Sequence, residues 1–131
     1  MISGNDVFTH VCLGSNDLAA STAFYDATLG ALGINNLGAF GEKAMLYGKD
    51  KPALIVLTPA NGEPACAANG GTIGFAANSE EAVNAFHAAG LAHGGTDEGA
   101  PGPRGLPGSY AAYLRDPAGN KICAYYFTTG A

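Results

Sequence analysis

Short apolar segments recur along this chain, and each is bounded by glycine, proline or asparagine. Their length and their partly alternating character are typical of short β-strands rather than of a helical bundle. We predict six strands, at residues 8–14, 39–47, 53–57, 72–76, 109–114 and 121–127. The turns between paired strands are predicted at residues 48–51 and 116–119, where glycine, proline and aspartate cluster.

A capped helix is predicted after the strand at 8–14 and again after the strand at 72–76. Asn16 or Asp17 opens the first helix, whereas Asn78, with Glu81 three residues later, resembles a capping box at the start of the second. Glycine commonly follows the end of a helix, and it does so after both predicted helices, at Gly33 and at Gly94–Gly95.

The two predicted strand–helix units are copies of each other. Residues 10–33 align without a gap to residues 72–95, at an offset of 62, and seven of the 24 aligned positions are identical. Phe24 and Phe86 are one of these identical pairs, and we expect them to pack the two helices onto the sheet. An offset of nearly half the chain indicates a duplicated module rather than a long solenoid.

The alignment continues through the hairpins. At an offset of 66 it pairs Tyr47 with Tyr113, and a longer turn then pairs Ile55 with Cys123. Each half is therefore predicted to be a βαβββ module, over about residues 6–60 and 68–128 of a single domain spanning residues 1–131. We expect an α+β fold in which the two modules curl a mixed sheet into a shared cup, with the helices outside.

Composition and charge exclude several functional classes. Hydrophobic residues make up 47% of the chain and charged residues 13%, which indicates a globular protein. The net charge is −5 and the six lysines and arginines are scattered, so we expect no nucleic-acid partner. No apolar run approaches the ~20 residues that span a bilayer and no signal sequence is evident, so we expect no membrane partner and a cytoplasmic location. Three cysteines without CxxC spacing predict neither a disulfide framework nor a zinc knuckle.

Three segments resemble the glyoxalase/bleomycin-resistance/extradiol-dioxygenase (vicinal oxygen chelate) superfamily. They are FTHVCLGSNDLAASTAFYDATLGALG, GGTIGFAANSEEAVNAFHAAGLAHGGTDEGAP and YAAYLRDPAGNKICAYY. The last is similar to the closing hairpin of that family, usually DPDGNxIE. The resemblance covers nearly the whole chain and implies a glyoxalase-like fold and a small-molecule substrate or ligand. It also implies a homodimer, the alternative being a monomer, with a divalent metal at the centre of the cup.

The resemblance also implies four metal-ligand positions, occupied here by His10, Ile55, Thr72 and Cys123. His10 fits the family pattern, and we expect it to act as a metal ligand or a general base. Thr72 and Cys123 stand where the family has histidine and glutamate, and Ile55 has no donor atom. Two outcomes follow for the cofactor: one divalent ion (Zn, Ni, Mn or Fe), or none.

Cys123 has three interpretations. It is a second metal ligand beside His10, a nucleophile activated by that histidine, or a small filler of the core. Strand alternation predicts that His10, Cys12 and Gly14 share one face. By analogy with the family, Cys123 and Tyr125 should face the cup, with their immediate neighbours turned toward the helices.

We predict a further set of substrate-binding residues, each with a plain structural alternative. Tyr47 and Tyr113 would line the cup, the alternative being core packing, and Thr72 would donate a hydrogen bond to the substrate, the alternative being an ordinary strand residue. Residues 96–109 are predicted to be a Gly/Pro-rich loop that closes as a lid. Arg104 within it would clamp a carboxylate or phosphate, the alternative being a solvent-exposed arginine. His87 and His93, on the second helix, are predicted to lie at the surface.

The leading functional hypothesis is a glyoxalase-like protein that binds a small organic substrate in the cup and acts as a metal-assisted lyase or isomerase. The main alternative is a metal-free module that sequesters an antibiotic-like compound, which needs a shaped pocket but no ligand triad. An iron-dependent extradiol dioxygenase is disfavoured, because such a site needs two histidines and a glutamate. Lactoylglutathione lyase activity is disfavoured for the same lack of a carboxylate.

Overall fold

The computed structural model describes residues 7–128, which form two βαβββ modules. The first consists of β1 (Val11–Gly14), α1 (Leu18–Gly30), β2 (Asn35–Ala39), β3 (Ala44–Gly48) and β4 (Leu54–Leu57). The second consists of β5 (Ile73–Ala76), α2 (Glu80–Ala92), β6 (Thr96–Pro103), β7 (Ser109–Arg115) and β8 (Lys121–Phe127). The predicted α+β fold of two such modules is confirmed.

Each module builds one four-stranded mixed sheet. The strand order is β1-β4-β3-β2 in the first sheet and β5-β8-β7-β6 in the second. In both, the strand before the helix pairs in parallel with the last strand of the module, and the remaining neighbours are antiparallel. The parallel pair requires a long crossover, which the helix and the two following strands provide.

Both helices begin at a side-chain cap. Asp17 accepts a hydrogen bond from the amide of Ala20 at 3.1 Å, as one of the two predicted caps. The second helix begins one residue later than predicted, because the hydroxyl of Ser79, not the amide of Asn78, accepts from the Ala82 amide at 3.1 Å. With Ser79 as the cap, the glutamates at 80 and 81 occupy the first turn, where the helix dipole favours negative charge.

The predicted lid over residues 96–109 is wrong. Most of that segment forms β6, and the irregular part is confined to residues 104–108. A strand so rich in glycine and proline is tolerated because β6 is the edge of its sheet and its pairing with β7 shifts register near Gly99 and Gly102. The corresponding edge strand of the first module, β2, was also missed, and it likewise contains a register shift.

The helices pack against each other as well as against their own sheets, so one core spans both modules. Phe24 and Phe86 are fully buried within it, as predicted. The approach is so close that a Cβ atom on Gly95, after α2, would lie 2.4 Å from the ring of Phe24 in α1. Glycine is therefore required at that point of the interface between the modules.

The turn between β7 and β8 joins the modules through a buried carboxylate. Asp116 accepts a hydrogen bond from the Tyr25 hydroxyl of α1 at 2.6 Å and from the backbone amides of Ala118 and Asn120 at 2.9 Å each. The Asn120 side chain in turn donates to the carbonyl of Gly14 in β1, also at 2.9 Å. These bonds fix the first strand of one module to the last hairpin of the other.

The prediction of a surface position is wrong for His87. Its side chain is buried, and its Nε2 atom lies 2.8 Å from a carboxylate oxygen of Asp97 in β6. The hydrogen bond from His87 lowers the pKa of Asp97 below its usual range. Apolar neighbours in α2 gave no sign of this contact, since β6 was not foreseen. His93 is exposed, as predicted, and its Nδ1 atom lies 2.8 Å from the carbonyl oxygen of Ala89.

Candidate functional site

The second sheet has one face covered by α2 and one face that is not. Ile122 and Ala124 point to the helix side and are fully buried, as the sequence predicted. Alternation along β8 therefore turns the other set of residues to the uncovered side. That set, together with its neighbours on β5 and β7, is called the open face of the second sheet: Thr72, Gly74, Ala76, Ala111, Tyr113, Lys121, Cys123, Tyr125 and Phe127.

Two cavities lie on this open face. One, of about 570 Å³, is mainly apolar and extends from this face around the ends of β5 and β8. Its lining residues are Gly74, Phe75, Ala76, Ala77, Asn78, Leu106, Tyr125, Tyr126 and Phe127. The other, of about 380 Å³, is polar and is lined by Thr72, Glu98, Gly99, Arg104, Tyr113 and Lys121. The hydroxyls of Tyr113 and Tyr125, one from each lining, are hydrogen-bonded at 2.6 Å and link the cavities. We call the two cavities together the groove.

Small residues on β5 leave space along the groove, and aromatic residues line it. Gly74 pairs with Cys123 in the parallel ladder, and a Cβ atom there would already lie 3.4 Å from the cysteine sulfur. The rings of Tyr113 and Tyr125 meet edge to face, at 6.0 Å between centroids, and Tyr125 stacks on Phe127 at 5.6 Å. The hydrogen bond with Tyr125, and then partial burial, raise the pKa of Tyr113 above its ordinary value of 10, so its phenol is protonated at neutral pH.

Cys123 lies where the sequence predicted, opposite Tyr113 in the β7–β8 ladder. It is only 4% exposed, and burial raises the pKa of its thiol to about 11, although Tyr113, Lys121 and Arg104 each act in the opposite direction. At neutral pH the side chain is therefore a neutral thiol. Because its side chain is also absent from the lining of both cavities, Cys123 fits the interpretation of a small filler beneath the groove better than that of a thiolate nucleophile.

Two cations flank Tyr113. The guanidinium carbon of Arg104 lies 5.5 Å from the centroid of its ring, and the ammonium nitrogen of Lys121 lies 5.3 Å from it. Arg104 also donates to the carbonyls of three neighbouring residues, Ala100 at 2.8 Å, Gly102 at 2.9 Å and Pro103 at 3.2 Å. Sequence reasoning missed Lys121, although alternation places it on the same face as Cys123, two positions along the strand.

His10 belongs to the other module. It directly precedes β1 in the first sheet, and its Nδ1 atom lies 3.0 Å from the hydroxyl of Thr9. Cys123 is in β8 of the second sheet, which shares no ladder with the first. Thr72, in contrast, is exposed at the start of β5 and lines the polar cavity.

The implied metal ion does not fit the donors of this chain. In residues 7–128, no group of three or more histidine, cysteine, aspartate or glutamate side chains could hold a metal ion. Ile55 has no donor atom, the hydroxyl of Thr72 is a weak ligand, and Cys123 and His10 belong to different modules. Protein metal sites ordinarily use at least three donors. Residues 7–128 of a single chain therefore do not form such a site.

Tyr47 does not line the groove, which corrects the prediction. It is fully buried on the helix-covered face of the first sheet, where its hydroxyl donates to Asp26 at 2.9 Å. Burial, followed by that hydrogen bond, raises the pKa of Tyr47. The ladders explain the error: Leu46 pairs with Ile55 as Tyr113 pairs with Cys123, so the residue equivalent to Tyr113 is Leu46. The alignment was one residue out of register, and one residue changes the face.

The fold and the duplicated ladders define a glyoxalase-like architecture, and comparison with known proteins names the family. Residues 7–124 match the Glyoxalase/Bleomycin resistance protein/Dioxygenase superfamily, and the chain belongs to it. None of the curated proteins matches the chain. In the described part of the chain, neither helix is long and apolar enough to cross a membrane.

Solved structures give the same family. A glyoxalase/bleomycin resistance protein from Albidiferax ferrireducens T118 is 50% identical over 92% of this chain and 98% of its own, with a TM-score of 0.84. A glyoxalase-related enzyme from Fulvimarina pelagi is 19% identical over 92% and 88%, with a TM-score of 0.73. A lactoylglutathione lyase from Agrobacterium tumefaciens is 22% identical over 95% and 96%, with a TM-score of 0.66. The last two likenesses concern the fold alone.

Proposed function

We propose that this protein binds a small organic molecule in the groove of the second sheet, and that binding needs no metal ion. The observation that carries the proposal is the apolar cavity of about 570 Å³ joined to the polar one through the Tyr113–Tyr125 hydroxyl pair. A mainly apolar cavity with a few convergent polar groups, in the range of about 300–1,000 Å³, is the usual form of a small-molecule site.

The side chains at the family's four metal-ligand positions favour binding without metal over metal-assisted lyase or isomerase chemistry. A Lewis-acid mechanism needs an ion held by several side chains, and the family positions here include Ile55, which has no donor atom, and Thr72, whose hydroxyl is a weak ligand. A binding module requires only a shaped pocket with satisfied walls, which the groove offers. The 50% identical structure carries the description glyoxalase/bleomycin resistance protein, which is compatible with that role.

We also propose that the protein works as a homodimer. The first sheet has its own uncovered face, which includes Cys12, Leu46 and Ile55, and Phe8 and Phe40 nearby are 63% and 74% exposed. A second copy that laid this face over the groove would cover apolar surface on both chains. It would also bring the partner's His10 toward the groove, which gives that histidine a role in binding. A cytoplasmic location stays a prediction.

The test uses N-phenyl-1-naphthylamine, a neutral probe whose fluorescence rises in apolar sites, with the full chain after treatment with a chelator. The protein has no tryptophan, so its own emission interferes little. We expect saturable binding that Ala76→Leu weakens at least about tenfold, because the added side chain fills the apolar cavity. The matched control is Ala92→Leu, at an exposed position at the end of α2. Probe binding that is absent, or equal in both variants, contradicts the proposal, and sedimentation velocity tests the dimer.

A further inference from the structure

We infer that the ligand of the groove is an amphipathic anion: a molecule with one carboxylate, sulfonate or phosphate group at the Arg104–Lys121 end and a flat apolar body at the Phe127 end. This inference rests on the proposed function, because it specifies the chemistry of what the groove binds. It is carried by three observations on the open face: unpaired positive charge, a fixed arginine, and a gradient of polarity along one strand.

The first observation is the distribution of charge. The chain has a net charge of −5 and only six lysines and arginines, yet two of them line the same polar cavity. A third cation nearby, Arg115, is paired with Glu98 at 3.1 Å, so the one carboxylate in the lining is already engaged. Within residues 7–128, Arg104 and Lys121 have no carboxylate partner. Two unpaired cations around one cavity in an acidic protein favour an anionic occupant.

The second observation is that Arg104 is held in place before any ligand arrives. Three backbone carbonyls and the face of Tyr113 fix its guanidinium, and carbonyls do not neutralise its charge. A guanidinium has five N–H donors, so about two remain for a ligand. Because the side chain is already ordered, little rotamer entropy is lost when an anion binds, which raises affinity compared with a mobile arginine.

The third observation is the order of side chains along β8. From one end to the other the open face presents a cation, a thiol, a phenol and a phenyl ring, in the sequence Lys121, Cys123, Tyr125, Phe127. Lys121 and Phe127 are six steps apart along the strand, or about 20 Å. Gly74 and Ala76 on β5 leave room beside the apolar half, and Leu106 is also part of its lining. A head group at Lys121 thus leaves space for a flat ring system over Tyr125 and Phe127.

The experiment compares two probes that share one apolar body. These are 8-anilinonaphthalene-1-sulfonate, an anion, and N-phenyl-1-naphthylamine, which lacks the sulfonate. We expect the wild-type chain to bind the anion more tightly, and Arg104→Gln and Lys121→Gln each to weaken that binding about tenfold while leaving the neutral probe within about twofold. Lys43→Gln, which removes an exposed lysine in the first module, is the matched control and should change neither. The preference for the anion should also shrink as salt increases.

The two proposals fail in different ways. If the neutral probe does not bind the wild-type chain, or if Ala76→Leu leaves its binding unchanged, the proposed function falls and this inference falls with it. If the neutral probe binds the groove but the anion has no advantage, or if Lys43→Gln costs as much as Arg104→Gln, the groove remains and only the anion subsite is wrong. All four variants alter side chains that are exposed or half-exposed, so folding is expected to survive each change.

Discussion

The two modules have the same elements in the same order, but the uncovered faces of their sheets differ. At equivalent ladder positions, the second module carries Tyr113 and Cys123 where the first carries Leu46 and Ile55. On the helix-covered side the modules agree, since Phe24 and Phe86 are both fully buried. The comparison teaches that one set of alternating positions maintains the fold of both modules, while the other set is free to carry different chemistry.

The largest expected effect concerns the helix-covered core positions, which are alike in the two modules. Phe24→Ala and Phe86→Ala each remove a buried ring from the common core, and we expect each to lower the free energy of unfolding by about 3–5 kcal/mol. Phe8→Ala, at a residue that is 63% exposed, should cost less than about 0.5 kcal/mol if the chain is kept monomeric by dilution. Urea unfolding followed by circular dichroism gives all three values. A large difference between Phe24→Ala and Phe86→Ala would mean that the modules are not equivalent in their cores.

The next largest effect compares the β7–β8 turn, which contacts the other module, with the β3–β4 turn, which is exposed. Asp116→Ala removes the acceptor of the Tyr25 hydroxyl and of two backbone amides, and we expect a loss of about 2–3 kcal/mol in the free energy of unfolding. Asp50→Ala, in the exposed turn of the first module, should change it by less than about 0.5 kcal/mol. The same unfolding measurement decides the matter. Equal losses would show that the carboxylate at Asp116 does not join the modules as its hydrogen bonds indicate.

The reactivity of two cysteines, one on each sheet, compares the uncovered faces directly. A pKa of about 11 for Cys123, against an ordinary 9.0, lowers its thiolate fraction at neutral pH about 100-fold. Cys12, on the first sheet, is exposed. In protein kept monomeric by dilution, we expect iodoacetamide to alkylate Cys123 at least about 100-fold more slowly than Cys12, measured by mass spectrometry of digested protein. Alkylation at equal rates would contradict the buried, neutral thiol.

The same shift has a consequence for stability. The thiol pKa of Cys123 is higher in the folded state than in the unfolded state, so the folded state holds this proton more tightly. The contribution of the protonated thiol to the free energy of unfolding is therefore complete below pH 9 and is lost as pH rises from about 9 to about 11. The free energy of unfolding should therefore fall more steeply over this interval in the wild-type chain than in Cys123→Ala. Parallel curves would show that Cys123 does not titrate differently in the folded state.

Most of the fold could be predicted from the sequence because its signals are local. Helix caps, glycines and the repeat itself indicated the βαβββ modules, and the family resemblance assigned Ile122 and Ala124 to the helix side. The edge strands β2 and β6 were missed, since their residues are polar, glycine-rich or proline-rich and their strand state depends on neighbours that are distant in sequence. The burial of His87 was missed for the same reason, because its partner Asp97 lies in β6.

The candidate site was predictable only where register was certain. The pairing of Tyr113 with Cys123 followed from the hairpin, and Thr72, Arg104 and Tyr125 do lie around the groove. Tyr47 does not, because the β3–β4 and β7–β8 hairpins differ in length by one residue and sequence identity alone chose the wrong partner. The expectation that His10 and Cys123 meet depended on how the modules are arranged. That arrangement is set by the contact between α1 and α2 and by the Asp116 turn, neither of which a repeat can reveal.

The smallest expected effect tests that one-residue difference with the same substitution at both tyrosines. Tyr47→Phe removes a hydroxyl bonded to Asp26 beneath α1, so we expect a loss of about 1 kcal/mol in the free energy of unfolding and unchanged probe binding. Tyr113→Phe should leave stability within about 0.5 kcal/mol, because its ring is retained and its hydroxyl lies in the groove. It should instead slow the alkylation of Cys123 further, since the hydrogen bond from Tyr113 lowers the pKa of that thiol. If Tyr47→Phe changed probe binding and Tyr113→Phe did not, the first module, and not the second, would hold the ligand face.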